Sequence, residues 1–236
     1  MISRYDYLKK FNPDYKGETV TWFTSDLHLN DTRMFTSPPT TVHYRPQFNS
    51  LEEMNHAIVD SINHFVNEHD VLYILGDVFC SDLLDGIECF NQIKCKHITL
   101  IAGNHDYNTD LGVINNILIE KCGFSSYNIN NRCIIENTYI KANPFADDSA
   151  VYYMCHYPIK AKLFIEQKYN CYALVGHIHG AWRIQPKIIN VGIDAWGFRP
   201  VSLYEINFVV NAMKKGYLDQ EVYPYLENYK NILNIE

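Results

Sequence analysis

The chain has 236 residues, 47% of them hydrophobic and 20% charged, which fits one large globular domain. A net charge of −7 disfavours a general nucleic-acid binder, which needs basic surface to displace counterions from phosphates. Seven cysteines, scattered singly with no C-x-x-C pair, argue against a disulfide framework and a thiolate zinc site; free thiols in a reducing cytoplasm are expected. The opening MISRYDYLKKFNPDYKG has no apolar core of a signal peptide, and no apolar run approaches bilayer length, so no membrane partner is expected.

In chain order, VTWFTS reads as a buried strand ending at Asp26. The segment from Leu29 to Ser50 carries Pro38, Pro39 and Pro46 and reads as a loop long enough to form a functional surface. Ser50 followed by Glu53 is a capping-box pattern, and Met54, Ile58, Ile62 and Phe65 recur at helical spacing behind it. VLYIL is a strand ending at Gly76-Asp77, and HITLIA is another ending at Gly103-Asn104. A helix is expected over DLGVINNILIEKCG, from Asp110 to Gly123. Strand-like RCIIENTYIKA, VYYMC, YALVG and KIINVG follow, and from about Asn207 one or two peripheral helices. Helices alternate with strands early and strands dominate later, which implies an α/β domain with two packed sheets. The core is expected over about residues 20–205, with 206–236 as a peripheral helical segment.

Five of these strands end in metal-ligand chemistry: Asp26 and His28, then Asp77, then Asn104 and His105, then His156, then His177 and His179. In open α/β sheets the carboxyl edge is where ligands bind. Asp26/His28 and His177/His179 are spaced i, i+2, which in extended backbone aims both members of a pair to one side. Gly76, Gly103 and Gly176 each precede a ligand candidate and let the backbone crowd a small centre. Taken alone, Gly103-Asn104 is also a good turn and Asp106 a helix cap; the other strand ends argue for more. Mixed carboxylate, imidazole and amide suits Mn²⁺ foremost, with Fe, Zn²⁺ or Ni as alternatives. Seven ligands are too many for one catalytic ion and about right for two that share a carboxylate. His43, His56, His64, His69 and His97 lack this placement and read as structural or surface residues.

In this order the residues resemble the calcineurin-like metallophosphoesterase superfamily, whose pattern is D-x-H, G-D, G-N-H-D/E, H and G-H-x-H. The likeness runs from Thr24 to about Ser202. It is closest to small stand-alone bacterial and phage phosphoesterases, through RPQFNSLEEM from Arg45 and NVGIDAWGFRPVS from Asn190. The resemblance implies a four-layer α/β/β/α sandwich. It implies one metal on Asp26, His28, Asp77 and His179, and a second on Asp77, Asn104, His156 and His177. His105 is then the acid, with Asp106 orienting it from behind. One departure stands out: where many such enzymes read D-x-H-F-G-H, this chain reads DLHLND, with Asn30 and Asp31 in place of Gly and His.

The chemistry expected from these parts is hydrolysis of a small phosphodiester or phosphomonoester, diesters preferred. Two cations generate hydroxide at neutral pH and clamp the phosphoryl oxygens, with Arg199 and Arg45 as candidate substrate contacts. A metal-dependent nuclease and a non-catalytic metal-binding scaffold are the rival readings, and tight nonspecific grip on nucleic acid is not expected.

Overall fold

Along the first strand of the computed structural model, successive side chains enter different cores. Trp22 packs outward beneath helices, and Phe23 packs inward against a second sheet. The structure describes residues 2–36, 45–79, 83–107, 124–125, 132–135, 138–141, 149–166 and 170–217.

The first sheet contains β1 (Thr21–Thr24), β2 (Val71–Ile74), β3 (His97–Ile101), β4 (Phe124–Ser125), β5 (Arg132–Ile135) and a late strand, Val201–Ser202. The second contains β6 (Thr138–Lys141), β7 (Val151–Met154), β8 (Cys171–Val175), β9 (Ile184–Gln185) and β10 (Ile188–Asn190); the late strand is therefore β11. The orders are β11-β1-β2-β3-β5-β4 and β6-β7-β8-β10-β9. Strands β1, β2, β3, β5 and β4 pair in parallel, with β11 antiparallel at the edge. In the second sheet β7, β8 and β10 are parallel, and β6 and β9 are antiparallel edges. Parallel strands covered on both faces are apolar throughout, which is why VLYIL and YALVG read as unbroken runs.

Helix Leu51–Phe65 lays Met54, Ile58, Ile62 and Phe65 on Trp22, Leu72 and Leu100 of the first sheet. Between the sheets, Phe23, Leu75 and Ile101 meet Tyr152, Met154, Leu174 and Ile189. On the far face Tyr153, Ala173 and Val175 receive Ala161 and Ile165 of helix Pro158–Ile165. The layers run helix, sheet, sheet, helix, as the resemblance implied.

Several expectations need adjustment. RCIIENTYIKA is not one stretch: β5 lies in the first sheet and β6 in the second, with residues 136–137 between them. The late helix starts at Leu203, before Asn207, and is not peripheral, because Ile206, Val209 and Val210 enter the inter-sheet core. Helices Arg4–Phe11, Leu83–Asn91 and Pro158–Ile165 were not anticipated, nor were the short β4, β9 and β11. Half of the expected capping box forms: Ser50 Oγ accepts from the Glu53 backbone N–H at 3.1 Å. The Glu53 carboxylate reaches Asn49 N at 2.7 Å, one residue before the position a full box requires. The expected helix Asp110–Gly123 and the residues after Tyr217 lie outside the described residues. Among those described, no helix is long and apolar enough to cross a membrane, and Cys89, Cys95, Cys155 and Cys171 are free thiols.

Candidate metal centre

Because β1, β2 and β3 run parallel, as do β7 and β8, their carboxyl ends come out on one rim, and the two sheets bring those rims together. Asp26 follows β1 and accepts, through both carboxylate oxygens, the backbone N–H of His177 that follows β8, at 3.0 and 3.1 Å. Three overlapping groups result: Asp26 with His28 and His179, His28 with Asp77 and His105, and Asp77 with His156 and His177. In each, the ligand atoms lie within 4.8 Å of one another. Asn104 joins through its amide oxygen, 2.9 Å from His177 Nδ1 and 3.1 Å from His156 Nε2.

The pairs do not converge for the reason expected. Asp26 and His28 have φ of 57° and 48°, His177 and His179 have 76° and 49°, and Asp77 has 55°. These are left-handed, not extended, conformations, costing roughly 1–2 kcal/mol each in a non-glycine residue. Such strain concentrates where a site over-determines the backbone. Close approach does explain all three glycines: a Cβ on Gly76 would sit 2.4 Å from His156 Nδ1. A Cβ on Gly103 would sit 2.2 Å from Asp77 Oδ1, and one on Gly176 would sit 1.9 Å from Ser25 Oγ.

Three of the four expected imidazole ligands, all but His177, are oriented from behind. His28 Nδ1 meets Asp31 Oδ2 at 2.8 Å, His179 Nδ1 meets Asp194 Oδ2 at 2.9 Å, and His156 Nδ1 donates to the Leu75 carbonyl at 2.6 Å. Those contacts turn each Nε2 lone pair inward, as metal-binding histidines require. His28 Nε2 is buried without a hydrogen-bond partner. A buried imidazole nitrogen left unsatisfied is costly, and a cation would satisfy it. The donor set therefore fits divalent ions.

Electrostatics agree with the geometry. Burial pushes the His28 pKa down to about 4 against the pull of Asp31, so its ring is neutral and able to ligate. Burial opposes ionisation of Asp77, but the hydrogen bond and charge of His156 hold its carboxyl well below the usual range. His156 answers in kind: burial lowers it, and Asp77 overrides this to raise it to about 9. An ion binding there would displace that proton. Burial also lowers His105, which is half-buried and stands edge-on to His28 at 5.2 Å between ring centroids.

Three expected site residues do other work. Asp106 does not orient the His105 ring: its oxygens accept the backbone N–H groups of Asp77 and Gly103 at 2.8 Å and of Val78 at 3.2 Å. It thus ties the two ligand-bearing loops together, and burial, with the charge of Asp77, raises it to about 6. Arg45 is 1% exposed and cannot face a substrate. Its Nε and Nη2 hold Asp194 at 2.8 and 3.0 Å, and it caps the carbonyls of Asp26 and Leu27. Arg199 pairs with Glu205 at 2.8 Å and donates to Tyr7 Oη at 2.9 Å. Its charge is spent on joining the first and last described helices. Asp31, Arg33 and Asp194 are the residues that sequence reasoning missed; the signals were the departure DLHLND, which puts Asp31 three residues past His28, and the segment NVGIDAWGFRPVS, which contains Asp194.

The family model for calcineurin-like phosphoesterases matches residues 19–189. The Gene 66 protein of Mycobacterium phage L5 is 26% identical over 206 residues, covering 81% of this chain and 94% of the phage protein. The crystal structure of AQ665, a protein of unknown function from Aquifex aeolicus, shares the fold. Its TM-score is 0.56 at 17% identity, over 81% of this chain and 99% of that one.

Proposed function

Since the chain belongs to the calcineurin-like phosphoesterase family, we propose that it hydrolyses small phosphate esters, diesters ahead of monoesters, with two divalent cations, manganese foremost. The observation that carries this reading is the buried Nε2 of His28, without a hydrogen-bond partner and set where the ligand groups overlap. Asp26, His28, Asp77 and His179 would hold one cation, and Asp77, Asn104, His156 and His177 the other. When bound, such ions supply a nucleophile from water at neutral pH and neutralise charge on the phosphoryl oxygens.

The chain's own residues do the rest. Asp31, Asp194 and the Leu75 carbonyl fix the rings of His28, His179 and His156. Asp106 holds the Asp77 and Asn104 loops at fixed separation. His105 would give a proton to the leaving oxygen, a role worth about 10²–10⁴-fold where the leaving group is poor. The net charge of −7 supports a small substrate over a polynucleotide, which would need several phosphate contacts.

The test is metal analysis of manganese-reloaded protein together with turnover of bis-nitrophenyl phosphate. Two ions per chain and metal-dependent hydrolysis are expected, with Asp77→Ala losing both ions and Asp26→Ala mainly one. At most one ion per chain in the wild type would sink the two-ion reading.

A further inference from the structure

Just outside the ligand groups, a second charged assembly faces the same opening. Asp31 is fully buried, and its carboxylate is shared. One oxygen meets His28 Nδ1 at 2.8 Å; the pair of oxygens takes Arg33 Nε at 3.0 and 3.2 Å and Nη2 at 2.7 Å. The Arg33 backbone N–H also donates to Asp31, at 3.0 Å. The Arg33 side chain is 44% exposed, and its Nη2 lies 3.5 Å from His105 Nε2. A long cationic side chain is thus clamped at its head, beside the residue expected to meet the leaving group.

We propose that Arg33 grips a phosphoryl oxygen of the substrate beside His105 and is positioned for this by Asp31. The proposal rests on the phosphoesterase reading of the site and adds the residue that recognises the anion. A guanidinium matches phosphate with a planar fork of donors. Asp31 holds the Nε–Nη2 edge of this guanidinium, so a bond to phosphate falls to its remaining N–H groups, and little side-chain freedom is left to lose on binding. The same geometry accounts for the departure at DLHLND. Aspartate at position 31 orients a metal-binding histidine with one oxygen while anchoring an arginine with both. This couples the cluster to the substrate's charge.

The experiment compares wild type, Arg33→Met and Arg33→Lys, each reloaded with manganese. It measures inorganic phosphate affinity by calorimetry, metal content, melting temperature, and kcat and KM on bis-nitrophenyl phosphate. Arg33→Met should weaken phosphate binding roughly 10- to 100-fold, the loss typical of a charge-assisted hydrogen bond, with metal content and melting temperature unchanged. Arg33→Lys should recover part of that affinity, since it restores the charge without the fork. Unchanged phosphate affinity in Arg33→Met overturns the proposal, as does wild type that fails to bind phosphate. Loss of metal from Arg33→Met also overturns it, by assigning the guanidinium to the cluster's integrity. Wild type that binds phosphate through Arg33 yet turns over no ester would instead defeat the hydrolytic reading and leave the Arg33 assignment standing.

Discussion

Asn30 sits at φ 59°, in the left-handed region, where the resembling D-x-H-F-G-H pattern has glycine. Asparagine tolerates that conformation better than other side-chain-bearing residues, and a β-branched residue does not. Asn30→Val should therefore cost about 1–2 kcal/mol, while Asn30→Gly should be near neutral; thermal denaturation of both variants checks this. If both changes were equally tolerated, backbone strain would not be what selects the residue. The seven expected ligands were legible in the sequence because strand-end Asp, Asn and His are read directly from apolar runs that stop. The residues behind them were not. Asp194 reaches His179 and Arg45 only after three separate loops have met, and no local spacing encodes such a meeting. Arginines were misread for the same reason: a charge next to a motif in sequence faced a buried carboxylate in space.

At the scale of elements, helix Leu51–Phe65 announced itself by cap and period, whereas helix Arg4–Phe11 buries only Tyr7 and Leu8 and shows little stripe to read. The β5–β6 boundary was hidden because both strands are apolar-rich and only two residues separate them; their assignment to different sheets is decided by tertiary pairing. Helix Leu203–Lys214 offers a direct test of local capping. Ser202, fully buried, accepts the Glu205 backbone N–H at 3.2 Å and is the N-cap. Ser202→Ala should destabilise the protein by roughly 1 kcal/mol, read as a lower urea midpoint with unchanged slope. No shift in the midpoint would mean that packing of Ile206, Val209 and Val210 alone holds the helix.

Across the whole molecule, buried acids set the response to pH in the metal-free protein. Burial opposes ionisation of Asp194, but the charge of Arg45 and the hydrogen bond from His179 hold its carboxyl well below the usual range. Asp31 and Asp77 are displaced in the same direction. A depressed carboxylate contributes stability that is complete above its unfolded pKa and is lost as pH falls toward the folded value. Asp106, raised to about 6, has the opposite sign: it favours the fold when protonated, and that contribution fades as pH rises through about 6. Three depressed acids outweigh one raised acid on the acid side. The melting temperature of chelator-treated protein should therefore fall steeply below about pH 4, where unfolded aspartates protonate. The decline should be shallower in Asp194→Asn, measured against that variant's own neutral-pH value. A wild-type melting temperature flat from neutral pH down to strongly acid conditions would contradict this balance.

The division of the cluster between the sheets has a consequence in time as well as in space. The first sheet contributes Asp26, His28, Asp77 and Asn104, and the second contributes His156, His177 and His179. Contacts between residues so far apart in the chain carry a large loop-closure cost and come together late in folding. On the two-ion reading, no ion can nucleate such a chain, because its ligands do not exist as a set until the sheets have docked. An interaction absent from the folding transition state leaves the folding rate alone and slows unfolding. Metal supply would then govern how long each folded molecule lasts, and not how readily a new one forms.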